Sequence, residues 1–203
     1  MMSGHNNFEM TEIERQHNAL TTITNMLIAR RWITNNFNEH FQTLKGNNEI
    51  IDTTYIITDK IKVAVKFYEI KLNSLKNDRE IETFMSKYQD HHKILIVSDI
   101  SAKTEKQILD TKKFEVFRIM EIIRDISTHH LVPKHTLLTD DESKQFMEEY
   151  KLCKLDMGRI FVDDPMARYL YAKKDNIIKI IRTSIYTGYS INYRLVVPGS
   201  IYG

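Results

Sequence analysis

Four consecutive uncharged aliphatic residues, Ile94-Leu95-Ile96-Val97, constrain the fold of this chain more than any other feature. The run is too short to cross a bilayer, and its length suits a strand covered on both faces. Its neighbours decide what kind of sheet it joins. Upstream, Ile61, Val63, Val65 and Phe67 alternate with Lys62, Ala64 and Lys66, the period of a half-buried strand. Thr53 to Thr58 is β-branched and aromatic, a further strand. Between these and the apolar run, Asp78 is placed to cap a helix whose buried face is Ile81, Phe84, Met85 and Tyr88. Downstream, Ser101 caps a short helix carrying Ile108 and Leu109, and Phe114 to Phe117 alternates again. Strands and helices in this order predict a compact α/β domain.

The flanking regions read differently. From Phe8 to Leu44, the residues Ile13, Leu20, Ile23, Leu27 and Ile28 form a loose helical stripe that Trp32 and Phe37 continue, so one or two helices are expected. Lys45-Gly46-Asn47-Asn48 reads as a turn or loop. Ile126 to Thr139, with Pro133, three histidines and no period, reads as a connector. Thr139 and Glu142 form a capping box for a helix burying Phe146, Met147 and Tyr150. Asp164-Pro165 starts a short helix to Leu170, because Asp caps and Pro fits the first helical position. Asn176 to Arg182 and Ser190 to Val197 flank a turn containing Gly188, an antiparallel hairpin. The expected organisation is α/β (α+β) with two domains, 1–128 and 129–203.

Composition limits the function. The 203 residues include 42% hydrophobic and 28% charged residues with a net charge of +2, so any nucleic-acid contact needs a local basic patch rather than a global field. A single cysteine, Cys153, rules out an intramolecular disulfide and fits a reducing compartment. The opening MMSGHNNFEM has no apolar signal core, and no membrane association is expected.

Few residues promise chemistry. His129, His130 and His135 cluster, and His91 and His92 precede a strand, but none has the spacing of a metal site, so surface or loop histidines are expected. Asp59 with Glu69-x-Lys71 resembles a metal-dependent nuclease core, in which carboxylates hold Mg²⁺ and lysine helps activate water. The ordinary alternative is solvent-facing side chains on a strand edge. There is no nucleophile motif, no P-loop and no dinucleotide fingerprint, and six glycines leave little for a phosphate loop. No cofactor is implied. The segment Ser98 to Lys103 lies between a strand and a helix, where Ser101, Ala102, Lys103 and Lys106 could meet a phosphate or simply cap the helix. In the C-terminal third, Arg159, Arg168, Arg182 and Arg194 are interleaved with Tyr169, Tyr171, Tyr189 and Tyr193, an interaction surface for protein or, by stacking, for RNA.

Several stretches together resemble one family: Ile126 to His135, Arg159-Ile160, Asp164-Pro165-Met166-Ala167-Arg168-Tyr169, Ile178 to Arg182, and Tyr193-Arg194-Leu195-Val196. They look like the assembly domain of the fifth subunit of eukaryotic-type DNA-directed RNA polymerases, a family that extends to archaea. More weakly, Val63-Ala64-Val65-Lys66 and Ser101-Ala102-Lys103 resemble the jaw domain of the eukaryotic members, although Asp99-Ile100 stand where the family has Thr-Pro. Gly158, Asp163 and Thr183 also depart from the usual proline, glycine and proline. The resemblance implies an N-terminal α/β jaw-like domain and a small C-terminal α+β assembly domain with a mixed sheet. It implies a non-catalytic subunit that docks on the largest polymerase subunit, meets other subunits, and helps to position downstream duplex DNA near Ser101, Ala102, Lys103 and Lys106. The docking face would hold Arg159, Asp164, Pro165, Arg168, Tyr169, Lys179, Arg182, Tyr193 and Arg194. An intracellular location follows: nucleus for a cellular member, host cytoplasm and virion for a viral one. The Asn- and Ile-rich composition points to a large cytoplasmic DNA virus, asfarvirus-like. A nuclease and an autonomous RNA-binding module are the competing readings.

Overall fold

The computed structural model describes residues 10–33, 53–57, 62–68, 70–74, 78–109, 111, 113–184 and 186–199. The chain divides into two compact units, one of residues 1–28 and 32–124 and one of residues 29–31 and 125–203. Helices combine with parallel and antiparallel strands, an α+β class.

In the first unit, helix α1 (Glu12–Ala29) precedes strands β1 (Thr53–Ile57) and β2 (Lys62–Tyr68), helix α2 (Arg79–Lys87), strand β3 (His92–Val97), helix α3 (Ala102–Leu109), strand β4 (Phe114–Arg118) and the short helix α4 (Ile119–Ile122). The sheet order is β1-β2-β3-β4, with β1 antiparallel and the others parallel. All six residues of β3 are buried, as the aliphatic run requires of an inner strand. Leu95 and Val97 pack with Ile81 of α2 and Ile108 of α3 on one face of the sheet. Phe67 and Ile96, on the other face, border a cleft shared with Glu12, Arg15 and Gln16 of α1.

Asp78 caps α2 as its position predicts, its Oδ1 accepting from the amides of Glu80 at 3.0 Å and Ile81 at 3.3 Å. Strand β2 differs from its pattern. Ala64 and Lys66 are not on a solvent face but are buried with Val63 and Val65. The reason is its neighbours: β2 lies between β1 and β3, and α2 covers the Lys66 face, where Phe84 and Tyr88 pack on Ala64. The buried Lys66 ammonium is met by the Glu80 carboxylate at 2.6 Å. The expected turn at Lys45 to Asn48 lies outside the described residues, as does the helix reading beyond Ile33.

The second unit holds strand β5 (Lys134–Leu137), helix α5 (Asp140–Tyr150), strand β6 (Gly158–Phe161), helix α6 (Pro165–Tyr169), and strands β7 (Ile177–Ser184) and β8 (Gly188–Val197). Its mixed sheet has the order β5-β7-β8-β6, antiparallel except for β6 beside β8. The connector reading of Ile126 to Thr139 is therefore corrected. The segment contains a short 3-10 turn at Ile126–Thr128 and the edge strand β5, whose mixed, half-buried side chains give no alternating signal. Phe146 of α5, Met157, Ile177 and Leu195 form the core, but Tyr150, expected inside, is exposed. The hairpin turn is closed by Gly188 at φ 73°, a left-handed backbone that glycine accepts without strain.

Candidate subunit and nucleic-acid interfaces

The loop after β3 is fixed from several sides. The Leu72 amide donates to the Asp99 carbonyl at 2.9 Å, and the Ser101 amide donates to the Leu72 carbonyl at 3.0 Å. Lys71 sits 2.7 Å from the Asp99 carboxylate, and Arg118 reaches Glu105 at 2.8 Å and Glu121 at 3.1 Å. The Lys71 hydrogen bond is the main reason the Asp99 carboxyl is held below its ordinary range. The Glu105 hydrogen bond chiefly raises the Arg118 guanidinium.

This frame sorts the expected phosphate contacts. The Ser101 hydroxyl donates to the Asn73 carbonyl at 3.3 Å and pairs with Thr104 Oγ1 at 2.8 Å, and Thr104 itself donates to Asn73 at 2.7 Å. Both hydroxyls are thus turned inward. Ala102, Lys103 and Lys106 are exposed on the first turns of α3. Lys103 and Lys106, three residues apart, share one helix face. Neither makes an ion pair among the described residues. The two lysines are free to meet an anion, whereas the serine would first have to leave Asn73.

In the second unit, Asp164 Oδ1 accepts from the Met166 amide at 2.8 Å and the Ala167 amide at 3.4 Å, and Pro165 fills the first helical position. Tyr169 points inward: it is 5% exposed, its hydroxyl accepts from Ser127 at 3.2 Å and donates to Asp125 at 3.4 Å. Burial is the main cause pushing its phenol up to about 12. The carbonyls of Tyr169 and Arg168, at the end of α6, accept from Arg30 Nε at 2.9 Å and Nη2 at 3.0 Å. Sequence reasoning does not find buried Arg30. Its one available signal is an arginine closing a long amphipathic helix, which does not identify the carbonyls it serves.

The sheet separates the remaining residues. By register, Arg159, Lys179 and Tyr193 lie on the face shared with Leu195, while Arg182 and Arg194 lie on the opposite face with Ile178. The hairpin therefore does not present Arg182, Tyr193 and Arg194 together. Tyr193 stacks on Phe146 with ring centroids 4.0 Å apart and closes the core. Arg159, Arg182 and Arg194 are exposed, Arg194 Nη1 donating to the Arg159 carbonyl at 3.4 Å, and Lys179 and Arg168 are partly buried. Beyond them the hairpin tip exposes Tyr186, Tyr189 and Ile191.

No group of His, Cys, Asp or Glu among the described residues could hold a metal ion. Asp59 and Glu69 of the nuclease-like reading lie outside those residues, and Lys71 is occupied by Asp99. His92 is not a surface residue: it is buried with Nε2 2.6 Å from Glu115. Among the described residues no helix is long and apolar enough to cross a membrane.

A small mixed sheet flanked by short helices makes the second unit an α+β domain, and residues 124–196 match the family model described as RNA polymerase Rpb5, C-terminal domain. The chain is 29% identical over 185 residues to DNA-directed RNA polymerase subunit 5 of Acanthamoeba polyphaga mimivirus, covering 88% of this chain and 90% of the relative. It is 29% identical over 199 residues to the RNA polymerases I, II, and III subunit rpabc1 of Dictyostelium discoideum, covering 93% and 100%. Over 83 residues it is 40% identical to the corresponding RPABC1 of Caenorhabditis elegans, 41% of this chain and 39% of the relative. Residues 124–196 thus match the Rpb5 C-terminal domain, and over nearly its whole length the chain is similar to fifth subunits of multisubunit RNA polymerase, one of them viral.

Proposed function

We propose that this chain is a non-catalytic subunit of a multisubunit DNA-dependent RNA polymerase inside the cell, in the manner of its viral and cellular relatives. The observation that carries the reading is similarity over nearly the whole length of two subunits, coupled with a family match to one folded unit. The first unit acts as a jaw-like domain beside downstream duplex DNA, with Lys103 and Lys106 meeting phosphates. The second docks on the largest subunit through exposed basic residues, Arg182 and Arg194 on one face of its sheet and Arg159 on the adjoining edge strand β6, whose carbonyl accepts from Arg194. Asp164, Pro165, Arg168 and Tyr169 shape that surface from beneath, since α6 is capped by Asp164 and its last residues are held from inside. Lys179 and Tyr193 border it. The chain needs no cofactor for this work and has no nuclease activity of its own.

The deciding experiment is affinity purification of the tagged chain from cells that make its native partners, with the co-purifying proteins identified by mass. The two largest polymerase subunits should appear in stoichiometric amounts. Their absence, with the tagged chain folded and soluble, would overturn the assignment. A combined Arg159→Glu and Arg194→Glu variant should lose them while keeping the melting temperature of the parent.

A further inference from the structure

The first unit carries a groove of about 560 Å³ between α2 and β2 that the polymerase reading does not use. Its floor is apolar: Phe84 and Tyr88 lie there, each 4% exposed. Beside them sits the buried Lys66 ammonium, whose partner Glu80 belongs to the helix wall and is half exposed. Arg79, Thr83 and Lys87 line the same groove at intervals of four residues, so they form one row along α2. All three are exposed. Neither Arg79 nor Lys87 has a carboxylate partner among the described residues. The lining thus holds three cations and a single anion that is already neutralised.

We propose that this groove binds an extended acidic peptide with carboxylates at positions i and i+4 and an apolar residue midway between them. The spacing is the argument. Eight residues of helix rise about 12 Å, the separation of Arg79 and Lys87 along α2. An extended peptide advances about 3.3 Å per residue, so positions i and i+4 lie about 13 Å apart and point to the same side. The residue at i+2 points there too, onto Thr83 and the edge of Phe84. The Lys66–Glu80 pair shows that a carboxylate fits against this floor. Single-stranded nucleic acid fits less well, because it needs open aromatic faces for its bases and both rings here are covered.

The test is fluorescence anisotropy with the full chain and a fluorescein-labelled peptide, Gly-Glu-Ser-Leu-Ser-Glu-Gly, at low ionic strength. Saturable binding is expected, and a combined Arg79→Glu and Lys87→Glu variant should weaken it by about tenfold or more, as expected for losing two charge pairs and adding repulsion. Both side chains are exposed, so an unchanged thermal melt identifies the loss as one of binding. A peptide with its two glutamates adjacent should also bind more weakly. The proposal falls if no saturable binding occurs, if the variant binds as the parent does, or if oligothymidylate displaces the peptide at lower concentration with the same dependence on Arg79 and Lys87. The polymerase assignment is independent of all these outcomes, since it rests on co-purification.

Discussion

Arg30 shows how much one side chain can do where a helix ends. At the end of α6 the Arg168 carbonyl accepts from the Tyr171 amide at 3.0 Å, while the Tyr169 carbonyl lies past the last helical bond and in a buried setting needs a donor. One guanidinium supplies two, to Tyr169 and Arg168. Arg30→Ala should lower stability by about 2–3 kcal/mol, the range for hydrogen bonds to a charged group plus the Tyr169 carbonyl left unsatisfied. Arg30→Lys should recover little, because an ammonium lacks the planar fork. Chemical denaturation of both variants checks this. Tyr169 makes a pH-dependent prediction. Its folded phenol titrates near 12 against an ordinary 10.0, so its contribution is intact below about pH 10 and is lost as pH rises through 12. Tyr68, raised to about 12 chiefly by its hydrogen bond to Asp78, acts with the same sign. Tyr169→Phe should flatten part of the alkaline fall in stability, and a late-titrating share should vanish from the tyrosine absorbance. On the surface, Lys103→Glu in the assembled polymerase should shorten the life of elongation complexes, more at low salt than at high. An unchanged lifetime across the salt series would show that Lys103 makes no phosphate contact.

Among the elements, those with a local signature are legible in the sequence. The Thr139–Glu142 box is present with both reciprocal bonds, at 3.2 and 2.7 Å, and the Asp164-Pro165 start holds. Thr139→Ala should destabilise the second unit by about 1 kcal/mol and lower its melting temperature by about 4–8 °C, as expected for a domain of this size. The elements that stay hidden lack such marks. Strand β5 has one exposed and three half-buried residues at a sheet edge, and β6, Gly158-Arg159-Ile160-Phe161, has one buried side chain. Both owe their conformation to the hairpin between them rather than to propensity. The burial of Lys66 is illegible for the same reason, since its own strand reads as amphipathic until α2 is laid across it. Resemblance singles out Tyr169 and Tyr193 as residues of the matched segments but gives no direction for their rings, and both face inward. Gly199 is a further such position: at φ 139° its added Cβ would fall 2.7 Å from the Phe161 ring. Gly199→Ala should therefore destabilise the β6 edge, seen as faster amide exchange in β6 and β8.

For the whole molecule, the two units differ in how sequence distance maps onto contact. In the first, each parallel strand follows its neighbour through one short helix, so β2, β3 and β4 pair in the order in which they occur. In the second, the outer strands β5 and β6 come first and the central pair β7 and β8 comes afterwards. Fragments should reflect this. Both lack Arg30, but a fragment of residues 125–203 keeps β5 and the Asp125–Tyr169 contact, whereas one starting at Thr139 loses these as well. The first should melt cooperatively and the second at a clearly lower temperature, as read by circular dichroism.

That strand order also governs the birth of the protein. A ribosome adding about 5–20 residues per second needs roughly 3–12 s to go from β5 to the end of β8. For much of that interval β5, joined after Phe161 by β6, has been made but has no strand to lie against. The nascent segment is then an unpaired edge, open to chaperones or to the wrong partner. Only when the hairpin emerges does the sheet close, from its centre outward. Codons that slow translation between Tyr150 and Ile177 would lengthen this exposure without changing one atom of the finished protein.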